Sequence, residues 1–295
     1  MNLPGANVNE LFDMAFVQPE ELWGQVICTG NLVMLFGGTG VGKTRVAQKL
    51  VWTMATGGKF LQHECKTPRK VLIIEGELGL AATQRRLHEI KREAPYSPKG
   101  DYLRIFSKDH SGGRLPNLSS YEDQKRYNAI IGDADVILID NLLSSIFPID
   151  RHDDDVKQWD RIIPWLFSIR DSGRTVIMVH HTGKSGLQLG TSIKENWLDT
   201  NIQLVSPEIP RAIRGTEFEL HYRKTRDVKK SDAQPLHVEY IEGDDGVSRW
   251  IWRPLNDSRT EQIRNMKAEG LTRREAAKQL GISYRAISYA WDQEE

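Results

Sequence analysis

One eight-residue segment constrains this chain more than any other part of its sequence. Residues 37–44 read Gly-Gly-Thr-Gly-Val-Gly-Lys-Thr and match the pattern G-x-x-x-x-G-K-T. The apolar run 32–36 predicts a buried strand before this segment, and residues 45–55 predict a helix after it that ends at Gly57. A strand, a glycine-rich loop and a helix in this order are typical of a site that binds phosphate groups.

The residue types of this loop suit a nucleotide bound with Mg²⁺. Glycines let backbone N–H groups turn towards phosphate oxygens, and the N-terminal end of the following helix adds a positive field. Lys43 can reach the β- and γ-phosphates, and the Thr44 hydroxyl can coordinate Mg²⁺. A glycine-rich turn with a chance Gly-Lys-Thr is the alternative. The predicted nucleotide-binding residues are Gly37, Gly38, Thr39, Gly40, Val41, Gly42, Lys43, Thr44 and Arg45.

The length, net charge and cysteine content of the chain limit the classes of protein to which it can belong. The 295 residues can form one full α/β domain and a small second one. The formal net charge is zero, so any contact with nucleic acid has to be local. Cys28 and Cys65 are far apart and outside any metal-ligand spacing, which favours reduced thiols. Without a membrane-length apolar run or a signal-peptide pattern, we expect a cytoplasmic protein with no membrane partner.

Apolar strands and amphipathic helices alternate through the middle of the chain, which predicts a mostly parallel sheet covered by helices. From about Ile202 the pattern changes to alternation with period two, which predicts antiparallel strands at one edge of that sheet. The predicted parallel strands are 71–75, 102–106, 136–140 and 175–179, the predicted helices 80–92, 121–131 and 156–170, and the predicted antiparallel strands 218–222, 236–240 and 250–252.

These patterns divide the chain into four parts. Residues 1–24 predict a lead-in packed against the core, and residues 25–253 predict the α/β domain. Residues 254–258, rich in proline and polar side chains, predict a linker. Residues 259–295 predict a small all-α domain.

The strand 136–140 consists of four apolar residues followed by an acid, which is the Walker B form. A buried strand ending there delivers Asp140 to the carboxyl edge of the sheet, beside the Mg²⁺ that Thr44 would hold. The alternative is a strand that ends in aspartate at a turn.

Hydrolysis also needs a group that orients or deprotonates water. Asp140 is followed by Asn141, so an adjacent glutamate is absent. Glu75 and Glu77 lie at the end of the strand 71–75 at the same edge, and Gly76 would let the backbone turn so that Glu77 points inward. We expect Glu77 to hold the attacking water, because Glu75 still lies in or near the strand. Two solvated acids on a loop are the alternative.

His180 and His181 end the next buried strand. Zinc is not predicted, because no second ligand cluster with suitable spacing accompanies them. A polar residue here can instead sense the γ-phosphate and pass the signal to the loop 182–192. This loop is rich in glycine and contains Lys184 and Ser185, so it suits contact with a polyanion backbone or is an ordinary surface loop.

Two cations, Lys224 and Arg226, follow the strand 218–222. Side chains at i and i+2 of an extended segment point the same way, so the two would meet one acceptor together. In a ring of identical subunits they could reach a neighbour's γ-phosphate as an arginine finger. A solvated charged face is the alternative.

In order and spacing, these motifs resemble the RecA-fold ATPases of the plasmid RepA-type hexameric replicative helicase group, in the branch found on phages and other mobile elements. The resemblance covers about residues 25–253. The matching segments are 37–44, 75–78, 138–142, 180–184, 190–192, 198–200 and 224–226.

The resemblance implies a RecA-like core and ATP·Mg²⁺ sites at the subunit interfaces of a hexameric ring. It makes Glu77 the catalytic glutamate, His181 the γ-phosphate sensor, and Lys224 and Arg226 residues that act on a neighbouring subunit. The loop 182–192 becomes a channel loop near single-stranded DNA. This loop departs from a strong DNA-binding loop, because it has one lysine and no aromatic residue to stack on bases.

The C-terminal residues carry a second signal. Thr272 with Glu275 three residues later predicts a capping box, and Gly281 breaks the helix that follows. The spacing of Ala277, Gly281 and Ile287 resembles the helix-turn-helix of resolvase-like and sigma-like DNA-binding domains.

The second helix of this unit offers four candidate contacts to duplex DNA. With a single cation it would bind phosphate weakly as one copy, which several copies in a ring could offset. Docking of a replication or recombination protein is the alternative. The four residues are Tyr284, Arg285, Ser288 and Tyr289.

Three functional hypotheses follow from these observations. The first is a DNA-dependent, ring-forming ATPase of RepA-like helicase type that moves along single-stranded DNA. The second is a regulatory switch in which ATP orders an oligomer that presents the helix-turn-helix. The third is a RecA-like recombination mediator that forms filaments.

Overall fold

The computed structural model describes residue 5 and residues 7–146, 155–181, 196–207 and 215–292. The loop predicted to contact DNA, with Lys184 and Ser185, lies outside the described residues.

The chain forms strands and helices in alternation, as the sequence predicts. In chain order the strands are β1 (Glu21–Trp23), β2 (Ile27–Cys28), β3 (Leu32–Gly37), β4 (Gly58–Phe60), β5 (His63–Cys65), β6 (Val71–Glu75), β7 (Leu103–Ser107), β8 (Val136–Asp140), β9 (Thr175–His181), β10 (Thr200–Val205), β11 (Gly215–Thr225), β12 (Leu236–Glu242) and β13 (Ser248–Pro254). The α-helices are α1 (Val8–Asp13), α2 (Lys43–Thr56), α3 (Leu80–Glu93), α4 (Tyr121–Ile131), α5 (Leu142–Ile146), α6 (Asp155–Asp171), α7 (Leu255–Ala268), α8 (Arg273–Gln279) and α9 (Tyr284–Asp292).

A nine-stranded sheet forms the centre of the fold, with the strand order β13-β12-β11-β10-β3-β9-β8-β6-β7. The strands from β10 to β7 are parallel to their neighbours. The strands β11, β12 and β13 pair antiparallel at the other edge. The prediction of a mostly parallel sheet with antiparallel strands at one edge is therefore confirmed.

Helices cover the parallel strands on both faces, which is why these strands read as continuous apolar runs. Successive side chains of a strand point to opposite faces. Leu35 of β3 joins the core under α2, together with Leu50. Its neighbour Met34 joins the core on the other face, with Tyr127 of α4 and Leu166 of α6.

Strand β10 and the hairpin β4–β5 are among the elements that were not predicted. Strand β10 pairs parallel with β3, so it lies between the P-loop strand and the antiparallel edge. This strand contains polar residues, among them the fully buried Asn201, which interrupt the apolar pattern that would predict a buried strand. The hairpin β4–β5 follows α2 and brings the buried His63 against Trp23.

The lead-in at the N-terminus packs only in part. Leu22 and Trp23 are buried, as expected for a segment packed against the core. Helix α1 instead has no buried residue. The expectation of packing therefore fails for the described residues at the start of the chain.

The segment predicted as a linker, 254–258, is helical from Leu255 onwards. Pro254 precedes the first helical residue, a position that tolerates proline because no helical N–H bond is lost there. The Leu255 N–H donates to the Pro235 carbonyl, and the Leu255 side chain is buried. This contact joins the last helices directly to the antiparallel edge of the sheet.

The C-terminal helices have a small core of their own. Thr272 and Glu275 form the predicted capping box at the start of α8. Gly281 has a φ of +59° in the turn before α9, a conformation that glycine adopts most easily. Helices α8 and α9 thus lie where the sequence predicts them, and their shared core contains Ile263, Met266, Ala276, Ala277 and Ile287.

Candidate nucleotide site

The glycine-rich loop joins the end of β3 to the start of α2. Gly42 has a φ of +103°, and a Cβ on Gly37 would lie 2.4 Å from the Leu204 carbonyl oxygen. Side chains are thus excluded at both ends of the loop. Gly38, Thr39 and Gly40 lie exposed between them, whereas Val41 is buried in the core.

Lys43 is held inside this loop. Its Nζ donates to the carbonyl oxygens of Gly37 at 3.0 Å and Gly38 at 2.7 Å. Burial lowers the pKa of Lys43, while the charges of Glu77 and Asp140 act in the opposite direction. The cation therefore lies within the loop and close to the acidic edge of the sheet.

Thr44 and Asp140 meet at the carboxyl edge of the sheet, as the Walker B interpretation requires. The Thr44 hydroxyl donates to Oδ1 of Asp140 at 3.3 Å. Burial, reinforced by the charge of Glu75, raises the pKa of Asp140 to about 7. Its Oδ2 is buried and, within the described residues, has no hydrogen-bond partner. A hydroxyl beside a buried carboxylate oxygen fits the oxygen ligands that Mg²⁺ prefers.

Glu75 and Glu77 have different surroundings although they are two residues apart. Glu75 is fully buried, and its Oε1 accepts the backbone N–H groups of Glu77 and Leu78 at 2.9 and 2.7 Å. A Cβ on Gly76 would lie 2.0 Å from the Ser144 hydroxyl, so only glycine fits there. Glu75 thus fixes the turn, and Glu77 presents its carboxylate at the site.

Asn141 joins Glu77 to His181. Its Nδ2 donates to Oε2 of Glu77 at 2.9 Å and lies 3.1 Å from Nε2 of His181. Its Oδ1 accepts the Ser144 N–H at 3.0 Å, which fixes the orientation of the amide. His181 Nε2 is 3.5 Å from Glu77 Oε2. The three side chains form one polar cluster, named here the Glu77–Asn141–His181 cluster.

Asn141 belongs to the site, although the sequence predicts no role for it beyond its place in the matching segment 138–142. Its position directly after Asp140, at the carboxyl end of β8, was the available signal. His180, the other histidine of the predicted pair, is fully buried in β9 and does not belong to the cluster.

Arg45 lies apart from the other residues predicted to bind the nucleotide. Its guanidinium is 2.5 Å from a carboxylate oxygen of Glu89 in α3. It also lies over the Tyr240 ring, 4.6 Å from the centroid. Its side chain therefore joins α2 to α3 and β12.

Lys224 and Arg226 converge on one acceptor, as their spacing predicts. Both donate to the Asn196 carbonyl oxygen, at 3.1 and 2.8 Å. Arg226 also forms an ion pair with Asp199 at 3.2 Å. Because the Arg226 side chain is 47% exposed, its guanidinium is accessible at the surface.

The candidate DNA contacts on α9 are not equivalent. Tyr284 and Arg285 are exposed, with Tyr284 52% accessible. The Ser288 hydroxyl oxygen is buried, so it does not face a ligand from solution. The side chain of Tyr289 lies outside what the structure describes. Among the described candidates, Tyr284 and Arg285 remain available for contact.

A second polar cluster lies on β11 and β12. His237 Nε2 is 3.2 Å from Oε1 of Glu217 and 3.1 Å from Oε1 of Glu239. One ligand atom of each residue lies within 4.8 Å of the others, so the set could hold a divalent cation. Histidine–carboxylate pairing accounts for the same contacts without an ion.

The described fold and the loop geometry define a RecA-like P-loop NTPase core. Residues 3–186 match the model of the AAA_25 family, described as an AAA domain, so the chain belongs to this family. A sequence comparison with curated proteins finds no match. None of the helices in the described ranges is long and apolar enough to cross a membrane.

Two solved structures resemble this chain. One is the KaiC-like protein PH0186 of Pyrococcus horikoshii OT3, with 17% identity and a TM-score of 0.53 over 79% of this chain and 94% of that one. The other is the flagellar accessory protein FlaH of Methanocaldococcus jannaschii, with 12% identity and a TM-score of 0.49 over 76% of this chain and 90% of that one. At this identity, the similarity to the KaiC-like protein establishes the fold alone.

Proposed function

We propose that this chain binds ATP with Mg²⁺ and hydrolyses it as a DNA-dependent, oligomeric motor of RepA-like helicase type. The Glu77–Asn141–His181 cluster is the observation that carries the proposal. It lies at the same sheet edge as Lys43, Thr44 and Asp140, so groups for binding and for hydrolysis come together there.

The loop 37–44 would hold the phosphates through its backbone N–H groups and the N-terminal end of α2. Lys43 would exchange its carbonyl partners for phosphate oxygens. Thr44 and Asp140 would hold Mg²⁺, which neutralises charge on the phosphates when bound. A cation there also favours the ionised form of Asp140, whose pKa burial raises.

Glu77 would orient the attacking water and accept its proton. Asn141 holds the Glu77 carboxylate through a hydrogen bond, so it is a positioning residue in this proposal. His181 shares Asn141 as a neighbour and would sense the γ-phosphate. Because β9 ends at His181, the loop 182–192 starts next to this sensor.

Self-association would complete the site. In the proposed ring, a hexamer by analogy with the RepA group, Lys224 and Arg226 would leave Asn196 and stabilise charge on a neighbour's γ-phosphate. The loop 182–192, with Lys184 and Ser185, would contact single-stranded DNA inside the ring. Changes at His181 would then move the loop along the DNA.

Turnover of ATP with and without single-stranded DNA tests this proposal. Glu77→Gln should reduce turnover at least about 100-fold while ATP binding remains, because general-base catalysis contributes about 10²–10⁴-fold. Glu122→Gln, at an exposed position of α4, is the matched control and should leave turnover unchanged. Unchanged turnover in Glu77→Gln would remove this residue from its role, and turnover indifferent to DNA would contradict the motor.

An ATP-gated switch is the second candidate, favoured by a chain of contacts to the C-terminal helices. A Cβ on Gly42 would lie 3.2 Å from Cγ2 of Thr216 in β11, so the loop packs on this strand. Glu219 of the same strand pairs with Arg259 of α7 at 3.3 Å. Nucleotide binding could therefore alter how α9 is presented to DNA or to a protein.

Strand-displacement and duplex-binding assays separate the two candidates. Robust unwinding of a forked duplex would exclude the switch. Duplex binding that depends on ATP and on Arg285, without unwinding, would exclude the motor.

A further inference from the structure

A run of apolar side chains at the N-terminus lies in solvent. The segment 7–20, named here the arm, contains α1 and the extended residues after it, and α1 buries no side chain. Phe12 is 78% exposed and Val17 is 97% exposed. The exposed large apolar residues of the arm are Val8, Leu11, Phe12, Met14, Phe16 and Val17.

A contiguous apolar segment of this kind indicates a binding surface. Single exposed apolar residues are common, but large exposed apolar patches mark sites of interaction. The arm is anchored to the domain at Glu20, whose backbone N–H and carbonyl both bond to Thr29. An anchored arm with uncovered apolar side chains requires an apolar partner surface.

The same chain carries a groove that fits such a segment. Helix α3 contributes Leu80, Ala81 and Leu87, and Trp52 and Ile105 also line the groove. The groove has a volume of about 550 Å³ and a mainly apolar lining. No residue of the arm is among those that line it within the described parts of the chain. The arm and the groove are therefore two uncovered apolar surfaces of one molecule.

Their charges are complementary. The arm carries Glu10, Asp13 and Glu20, of which Glu20 pairs with Arg69, and it contains neither lysine nor arginine. Helix α3 presents exposed cations at Arg85 and at Lys91, which lines the groove. Opposite charge at the rim of an apolar contact favours the correct pairing and disfavours others.

The acidic residues of α3 do not neutralise Arg85 and Lys91, because they pair with cations of α2. Glu89 lies against Arg45, and Glu93 pairs with Lys49 at 2.9 Å. Both carboxylates thus face α2 and not the groove. The outer side of α3 is left positive, opposite in sign to the arm.

We propose that the arm of one copy docks in the α3 groove of a second copy. The proposal rests on the self-association in the proposed function and names the surfaces that make it. Arm and groove are different surfaces, so the contact is heterologous and, unless two copies exchange arms reciprocally, repeats from copy to copy into a ring or a filament. Helix α3 begins three residues after Glu77, so a docked arm lies next to the turn that holds the proposed catalytic glutamate.

Disulfide trapping between two chains tests the contact directly. One chain carries Phe12→Cys and the other Gln84→Cys, a residue that lines the groove, both in a Cys28→Ser background. We expect mild oxidation with a non-hydrolysable ATP analogue to give a disulfide between the two chains. Tyr121→Cys is the control partner, because Tyr121 is 68% exposed on α4, which covers the other face of the sheet.

Two results of the trapping would overturn the proposal. Equal trapping by the Tyr121→Cys chain would show random collision. A disulfide that forms only when both cysteines are in one chain would show that the arm folds onto its own groove.

Association measured by sedimentation velocity gives a second test. Phe12→Ser with Phe16→Ser should weaken association about tenfold or more, as expected for central apolar contacts of an interface. Ile251→Ser, at a 53% exposed position of β13, is the matched control and should leave association unchanged. Lys substitutions at Glu10 and Asp13 should weaken association, and Glu substitutions at Arg85 and Lys91 in the other chain should partly restore it.

The outcome of these tests is independent of the outcome of the tests for the proposed function. Unchanged association in the arm variants, with the turnover of wild-type protein intact, would reject the arm contact and leave the ATPase proposal in place. Arm variants are read by association and trapping, which do not require hydrolysis.

Discussion

The two halves of the central sheet place their functional residues in different ways. In the parallel half, strands β3, β6, β8 and β9 end at one edge, and the side chains after them converge within hydrogen-bond distance. In the antiparallel half, strand ends alternate between the two edges; the candidate Lys224 lies on β11, and the candidate Tyr284 lies on α9, outside the sheet. Side chains that converge at one edge of the sheet can act together on one bound molecule, which suits catalysis. Residues spread over the surface suit contact with other molecules.

The largest expected effect concerns the convergent half. Lys43→Ala should reduce ATP turnover by about 10²–10³-fold, the loss typical of removing one group that stabilises transition-state charge. Arg285→Ala, in the dispersed region, should leave DNA-free turnover unchanged. Both are measured as phosphate release, with ATP affinity measured separately. Equal losses of ATP turnover in the two variants would contradict the proposed difference between the two regions.

The central sheet and the C-terminal helices should also respond differently when one buried side chain is removed from the helices. Ile287→Ala removes a fully buried side chain from the small core of α7–α9 and should cost about 2–4 kcal/mol of unfolding free energy there. Hydrogen–deuterium exchange should accelerate in α8 and α9 while β8 stays protected. Ile251→Ala, at an exposed position of β13, is the control. Faster exchange throughout the sheet would mean that the helices are not a separable unit.

A pH effect should follow from His63, which packs against Trp23 and Tyr222. Burial lowers the pKa of His63 to about 4 from an ordinary value near 6.5. The unfolded chain therefore binds the proton first as pH falls, and stability is lost between about pH 6.5 and pH 4.

The expected loss at His63 is roughly 3 kcal/mol by pH 4. His63→Gln should reduce the dependence of the urea midpoint on pH in this range. His88→Gln, at an exposed histidine of α3, should not change it. Identical profiles for the wild type and His63→Gln would contradict the burial argument.

The smallest effect concerns the positioning residue of the convergent half. Asn141→Ala should lower turnover about tenfold, because supporting hydrogen bonds around a functional group are typically worth 10–100-fold. Asn141→Asp should lower it further, since a carboxylate would replace the donor that contacts Glu77. Steady-state turnover at saturating ATP measures both. A loss as large as that of Glu77→Gln would make Asn141 more than a positioning residue.

Much of the fold could be predicted from local pattern. The strand 136–140 and the helix 121–131 agree with β8 and α4 at both ends, because continuous burial and clear helix ends leave local signals. Strand β10 was missed because its buried Asn201 interrupts the apolar pattern. The linker prediction at 254–258 failed because burial of Leu255 against the sheet outweighs its proline and polar neighbours.

The sequence by itself determined the phosphate-binding loop, the acid at the end of β8 and the alternation that requires a parallel sheet. Only the tertiary structure decided which polar residues touch. Glu77 and Asn141 are 64 positions apart, and Asn141 and His181 are 40 apart, yet both pairs meet. Local sequence sets backbone conformation, but such contacts depend on strand order in the sheet. For the same reason, only the fold showed that the apolar arm and the α3 groove lie uncovered in one chain.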